Sequence, residues 1–440
     1  MYYFIGIKGS GMSSLARILY DLGYEVAGSD ISKYIFVEDG LRERGIPIYT
    51  FDKNNIKDGM DVIIGNDFHR ETNEEVAAAL DNPNVKTHTY FGFLGQFMNQ
   101  FVSIGIAGTH GKTTTTGMAY HLFKDYAPTS VLIGDGTGYA EKNAKYFIFE
   151  SDEYMDHFLS YYPDYSYINN IELDHVDYFK DQDDYDESFE EYANHAKKAC
   201  VVWGDDPHLP HLHYTKPVYK FGLKDGNDVQ AKNVINNEKG LSFDVYIHGE
   251  LFGHFALPLY GMHTLYNLLG VITLGYLEGM DAAYIEERMS TFKGVKRRYT
   301  VQEIGNNVYV DDYAHHPTAI KYVIEETRTR YPGKKIVAVY QPDRFSRGKY
   351  FAKGFAQSMD LADYPYFVDF PANAHKEPGI DIDVTYITQY IPRANVVKED
   401  REGAELLAEY DNVVYIFMSP KDIYKLKDLV IEVKAEKEGK

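Results

Sequence analysis

The stretch 105–116 constrains this chain more than any other. It reads Gly-Ile-Ala-Gly-Thr-His-Gly-Lys-Thr-Thr-Thr-Thr, follows the apolar run 101–107 and precedes a helix-like segment, 118–124. A strand, a glycine turn and a helix start form the layout of a phosphate-binding loop. Glycines let backbone N–H groups converge on phosphate oxygens, and the helix N-terminus adds partial positive charge. In the run Gly108, Thr109, His110, Gly111, Lys112, Thr113, Thr114, the lysine is placed to reach β- and γ-phosphates and the Thr113 hydroxyl to ligate Mg²⁺. The usual loop carries another glycine where Ile106 stands. On this stretch alone, a Gly/Thr-rich turn that binds nothing is the alternative.

A chain of 440 residues has material for about two to four domains. A net charge of −21 argues against a nucleic acid or an anionic membrane as partner, while leaving room for local anion sites. The single cysteine, Cys200, excludes an intrachain disulfide and a cysteine-rich zinc site, and fits a reducing compartment. It lies in the apolar run 199–203, where a core thiol is expected rather than a nucleophile. No basic segment precedes an apolar one at the N-terminus, and no run approaches the ~20 apolar residues of a membrane span. The expectation is a cytoplasmic protein without membrane insertion. The 40 tyrosines and 25 phenylalanines read as packing.

Along the chain, residues 2–7 read as a strand, Gly9-Ser10-Gly11 as a turn and 12–22 as a helix, and the strand 25–28 ends at Ser29-Asp30. This is a βαβ opening. It is either a diphosphate site at Gly9–Ser13 with Asp30 near a ribose, or a tight turn with a solvated carboxylate. The strand 146–149 ends in Glu150-Ser151-Asp152-Glu153, and the strand 165–170 ends in Ile171-Glu172-Leu173-Asp174-His175. Acids at the carboxyl ends of parallel strands point into the same crevice as a phosphate loop. Glu150 and His175 are therefore candidate metal ligands, with solvated loop acids as the alternative. His263 and Asn267 share a face at the start of an apolar helix, where caps are the plainer reading. The strand 308–310 ends in Asp311-Asp312-Tyr313-Ala314-His315-His316, and Pro317 opens a helix. Arg344 and Arg347 follow the next strand as a candidate carboxylate clamp. The charged tail 432–440 is expected to fray.

These residues give an α/β chain of three domains: 1–98, 99–295 and 296–440. The middle one is read as binding a nucleoside triphosphate with metal. Eight stretches now carry a resemblance: GIKGSGMSSLA (6–16), AGTHGKTTTTGM (107–118), FESDEY (149–154), NIELDHVDYF (170–179), GMHTLYN (261–267), GVKRRY (294–299), DDYAHHPTAI (311–320) and QPDRFSR (341–347). In this order and spacing the chain resembles the Mur ligases over essentially its whole length. Within them it is most similar to the branch that adds L-alanine to UDP-N-acetylmuramate in Gram-positive bacteria.

The resemblance implies an N-terminal Rossmann-like domain for the UDP-sugar, a central P-loop ATPase domain and a C-terminal Rossmann-like domain. It implies ATP and Mg²⁺ as cofactors, and UDP-N-acetylmuramate and L-alanine as substrates. Residues Gly108 to Thr114 would cradle ATP. Thr113 and Glu150 would hold one Mg²⁺ and His175 a second. His263 and Asn267 would lie near the nucleoside, with Arg298 and Asp312 closing the site. Arg344 and Arg347 would hold the alanine carboxylate, with His315 or His316 near the amine. Ser10, Gly11, Met12 and Asp30 would contact the UDP moiety, along with His69. Lys112, His175, Asp312 and His315 would be the catalytic set.

Three departures stand out. The segment 186–192 carries no lysine, whereas later-acting relatives have a carbamylated one there; this fits the alanine-adding branch. Ser419-Pro420-Lys421-Asp422 replaces the usual Gly-Ala-Gly-Asp turn, and Asp343 stands where relatives tend to have His. A ligase that attaches a whole tripeptide in cell-wall recycling stays open as an alternative, as does a non-catalytic ATP-binding relative.

Overall fold

The structure is a computed structural model describing residues 1–295, 297–374 and 377–439. The expected first residue of the third domain, Lys296, lies outside the described residues, as does Lys440. Three sheets organise the chain.

The first sheet has five parallel strands, in the spatial order Ile48–Tyr49, Val26–Ser29, Tyr2–Ile5, Asp61–Ile64, Lys86–Thr89. The order reverses beside Tyr2–Ile5, so the crevice at the carboxyl ends opens over residues 6–10. The helix Ser10–Asp21 starts there. It buries Leu15, Ile18 and Leu19 at helical spacing against the sheet.

In the middle sheet of ten strands, Val102–Ala107 lies between Tyr165–Ile168 and Tyr146–Glu150, all parallel. Pairing of Ile168 with Ala107 brings the residues after one strand beside the glycine turn after the other. The alternating burial of Gly240–Ile247 marks a strand with one face on the core, and it belongs to the antiparallel meander 229–257 at one edge. The third sheet has six strands, and only Thr300–Ile304 runs antiparallel to its neighbour, Asn307–Asp312.

One hydrophobic cluster runs from Phe4 and Leu15 through Tyr90, Phe93 and Phe97 to Phe147, Phe158 and Tyr192, so the first and middle sheets share a core. Cys200 belongs to it, fully buried. The tail corrects its expectation. The helix Tyr424–Glu438 occupies it, and Ile423, Leu426, Val430 and Val433 form a buried stripe beneath the charged residues. The charges pair as well, Arg401 with Glu432 at 3.7 Å and Lys437 with Glu409 at 2.5 Å.

The third domain joins the middle one through a left-handed turn. Gly294, Arg297 and Tyr299 all have positive φ, at 86°, 54° and 53°.

Candidate active site

Around the phosphate loop, Gly108 has φ +129° and Gly111 φ +84°, both open to glycine and strained for other residues. Space restricts them further. A Cβ on Gly108 would lie 2.9 Å from the Asn169 Cβ, and one on Gly111 would lie 2.7 Å from the Asn169 side-chain nitrogen. The loop is held from the neighbouring strand end. Asn170 accepts the His110 N–H through Oδ1 at 3.0 Å, and the amides of Asn169 and Asn170 donate to the His110 carbonyl at 2.9 and 3.0 Å. The helix Lys112–Phe123 then begins with no side-chain cap, leaving its first N–H groups available to an anion. This helix starts earlier than the apolar pattern suggests, because the threonines continue the turn.

Lys112 turns back on its own loop. Its ammonium donates to the Gly108 carbonyl at 2.5 Å and to both oxygens of Glu153 at 2.9 and 2.7 Å. Burial works against the Lys112 cation, but Glu153 and Asp152 outweigh it and raise its pKa. Burial pushes the Glu153 carboxyl up to about 7, against the pull of Lys112. His175 Nε2 lies 3.7 Å from Glu153, while its Nδ1 is buried with no hydrogen-bond partner among the described residues. His175 also sits at φ 50°, a left-handed position for a non-glycine residue. Burial lowers its pKa and favours the neutral imidazole that ligates metals.

Thr113 donates to Glu150 at 3.3 Å, and Glu150 also accepts from the Gly134 N–H at 2.6 Å. A hydroxyl and a carboxylate side by side at a helix start are the hard oxygen donors that suit Mg²⁺. His175 stands with Glu153 and not with this pair. The expected metal residues thus fall into two places, Thr113–Glu150 and His175. A different group has donor atoms within 4.8 Å of one another: His110, Glu172 and His316.

The third domain reaches into the same crevice. Arg298 donates to the Thr113 hydroxyl at 3.1 Å and stacks 4.8 Å from the Tyr313 ring. Asp312 is buried and accepts the N–H groups of Tyr299 and Ala314, each at 2.7 Å, so it shapes the turn that carries Arg298. His315 Nδ1 bonds the Tyr313 carbonyl at 3.0 Å; with the proton there, Nε2 is left as an acceptor. Burial and Arg347 hold its pKa well below the usual range, so the ring is neutral. His316 takes a different part. It is 1% exposed and caps the helix Pro317–Arg330, accepting the Thr318 N–H. Of the two histidines, His315 is the one accessible for chemistry.

The arginines are not free. Arg347, buried, grips both oxygens of Asp174 at 3.0 and 3.1 Å and also bonds Asp343 at 3.2 Å. Burial opposes the Asp174 anion, but Arg347 outweighs it and holds Asp174 well below the usual carboxylate range. Arg344 pairs with Asp177 at 3.1 Å. Both arginines thus clamp acids of the middle domain. Arg297 donates to the carbonyls of Ser419 and Lys421 at 3.0 and 2.7 Å, fixing the altered turn.

Beside the loop lies a cavity of about 530 Å³, lined by Gly111, His263, Asn267, Arg298, Asp312 and Tyr322 among others. The His263 ring stacks on Tyr322 with centroids 5.2 Å apart, and His263 Nε2 meets Glu326 at 3.2 Å. Aromatic walls with a few polar groups suit a nucleoside. Thr109 and Thr114 flank the same loop. Thr109 exchanges hydrogen bonds with the backbone of Glu172, at 2.8 Å to its carbonyl and 3.0 Å from its N–H.

The remaining expected residues lie in the first domain. Ser10 is exposed at an uncapped helix start, Met12 is buried, and a Cβ on Gly11 would lie 2.5 Å from the Tyr90 hydroxyl. Asp30 is buried and accepts the N–H groups of Lys8 and Ile31, both at 2.7 Å, so it braces the turn. His69 is exposed on the loop after Asp61–Ile64.

Sequence reasoning singled out no role for Asn169, Glu153, Glu172 or Tyr322. Glu153 and Glu172 lay inside the quoted motifs. Their partners come from other strands and domains, and the local pattern does not name them.

Three family models match in succession: "Mur ligase family, catalytic domain" over residues 1–102, "Mur ligase middle domain" over 106–275 and "Mur ligase, glutamate ligase domain" over 296–417. The chain belongs to the Mur ligase family, the ATP-dependent ligases of peptidoglycan synthesis. This Mur ligase is similar in fold to the UDP-N-acetylmuramate–alanine ligase of Thermotoga maritima, with 24% identity over 99% of each chain and a TM-score of 0.78. It is also similar to the UDP-N-acetylmuramate:L-alanyl-γ-D-glutamyl-meso-diaminopimelate ligase of Neisseria meningitides, with 29% identity over 67% of this chain and 99% of the other and a TM-score of 0.58. A MurF ligase of Thermotoga maritima in complex with ADP shares 18% identity, over 95% and 97% of the two chains, with a TM-score of 0.64. No helix among the described residues is long and apolar enough to cross a membrane.

Proposed function

We propose that this Mur ligase joins L-alanine to the carboxylate of UDP-N-acetylmuramate at the expense of ATP. The carboxylate is a poor acylating agent, so one of its oxygens first takes the γ-phosphate. The alanine amine then attacks the acyl carbon and phosphate leaves. Lys112 moves from Glu153 to the phosphates, and the N–H groups at the start of Lys112–Phe123 share their charge. Thr113 and Glu150 are the residues that would hold Mg²⁺, with His175 at a second position. Bound there, the ion neutralises phosphate oxygens as two anions meet. Arg298 brings a further cation to Thr113 from the third domain.

The observation that carries a ligase rather than a kinase is His315. An attacking ammonium must lose a proton, and His315, with Nδ1 held by the Tyr313 carbonyl, leaves Nε2 as an acceptor for it. Phosphorylation of a carboxylate alone needs no such base. The choice of alanine is supported by the whole-length likeness to an alanine ligase and by the lysine-free helix Gln182–Asn194. One observation favours the tripeptide-adding reading: Arg347 is already committed to Asp174 and Asp343, leaving it less able to receive the carboxylate of a single amino acid.

The test is phosphate release with ATP, Mg²⁺ and UDP-N-acetylmuramate, adding L-alanine, glycine, L-serine or the tripeptide in turn. Release dependent on both the UDP-sugar and L-alanine is expected. Release with the tripeptide but not alanine moves the assignment to the recycling reaction. Release with no acceptor consumed rejects ligation.

A further inference from the structure

We infer that Glu172 is a positioning residue that ties the shape of the nucleotide loop to the docking of the C-terminal domain. This rests on the nucleotide reading of the loop. The Glu172 carboxylate accepts from His110 Nε2, in the loop, at 2.9 Å through Oε2. Through Oε1 it accepts from the Thr318 hydroxyl, in the third domain, at 2.7 Å. His316 stands 3.9 Å from Oε2 and caps the helix that carries Thr318. The Glu172 backbone is itself bonded to Thr109. One residue therefore holds two consecutive loop residues on one side and the first turn of a third-domain helix on the other.

The group does not need an ion to explain it. His110 and Glu172 are at direct hydrogen-bond distance, and the second carboxylate oxygen is taken by a hydroxyl. A carboxylate with both oxygens satisfied is oriented, whereas one that loses Thr318 is free to rotate away from His110. The His110 backbone is pinned by Asn169 and Asn170, so a change at Glu172 is felt at the imidazole and at Thr109. Arg298, Asp312 and Tyr322 of the third domain line the cavity directly, whereas Thr318 acts on the loop geometry from outside it, through Glu172. Thr318 is not among the residues lining the nucleotide cavity.

The experiment is calorimetric titration of a non-hydrolysable ATP analogue with Mg²⁺ into wild type, Thr318→Val, Glu172→Gln and the double variant. Thr318→Val is expected to weaken the analogue about tenfold, the lower end of the scale for one hydrogen bond to a charged group. Glu172→Gln should weaken it at least as much, and the double variant no further, because the two act through one link. Thr318→Ser, which keeps the hydroxyl, should restore wild-type affinity. Unchanged affinity in Thr318→Val, or two independent additive losses, overturns the inference. No binding by folded wild type overturns instead the nucleotide reading on which it rests. Thermal melts of each variant separate these outcomes from a loss of fold.

Discussion

Two of the glycine turns that lead from a strand into a helix, at residues 6–10 and 108–111, differ in their surroundings. At residues 6–10 the turn is braced from behind. Asp30 accepts the Lys8 N–H, and the Lys8 ammonium is drawn away to Glu38 at 2.5 Å. The helix start at Ser10 is left exposed. At residues 108–111 the turn is enclosed. Asn169 and Asn170 grip its backbone, Glu153 holds its lysine, and Arg298 and Thr318 arrive from another domain. The backbones differ as well: Gly9 enters its helix extended, at φ −63°, whereas Gly111 enters left-handed, at φ 84°. The first turn is supported from within its own domain, and the second by residues of two domains.

Removing the lysine breaks the contrast most strongly. Lys112→Ala should lower turnover by roughly 10²–10³-fold, the scale of losing a charge-stabilising donor. Binding of UDP-N-acetylmuramate at the first turn should survive, as read by calorimetry without nucleotide. Equal loss of both would mean that the two turns are not separate sites.

Acid and base should divide the turns next. The folded-state pKa of Glu153 is raised from the usual 4.5 to about 7. Its contribution to stability is therefore fully present below about pH 4.5 and is lost as pH rises through about 7. Glu38 runs the other way. Burial opposes its anion, but hydrogen bonds from Lys8 and Arg42 outweigh it and lower its pKa, so its contribution is lost on acidification. Urea unfolding at a series of pH values should show a declining limb between about pH 4.5 and 7 that Glu153→Gln flattens. A limb unchanged in that variant would place the titrating group elsewhere.

The smallest effect should come from the first turn. Gly11→Ala sets a methyl against the Tyr90 hydroxyl. The cost of such overpacking corresponds to roughly tenfold in UDP-sugar affinity. Binding of an ATP analogue should be unchanged, and a matching loss there would show the turns to be coupled.

The strands and both turns were legible because apolar runs and glycines are local signals. So were the acids at strand ends, which parallel topology sends to one crevice. The partners were not. Asn169 meets Gly108 because Ile168 pairs with Ala107, a register set across 61 residues of chain and invisible to a local window. Arg344 and Arg347 were legible as a carboxylate clamp, but not that the carboxylates at hand belong to Asp177 and Asp174. The tail 432–440 looked like solvent-exposed charge because its apolar stripe begins earlier, at Ile423.

The left-handed turn into the third domain has a mechanical consequence. Gly294 adopts its positive φ freely, but Arg297 and Tyr299 each bear a conformational penalty of about 1–3 kcal/mol. The joint is thus wound like a spring while Arg298 touches Thr113 and Arg297 grips the carbonyls of Ser419 and Lys421. The contacts therefore do more than touch: they hold a backbone conformation that the isolated joint would not favour.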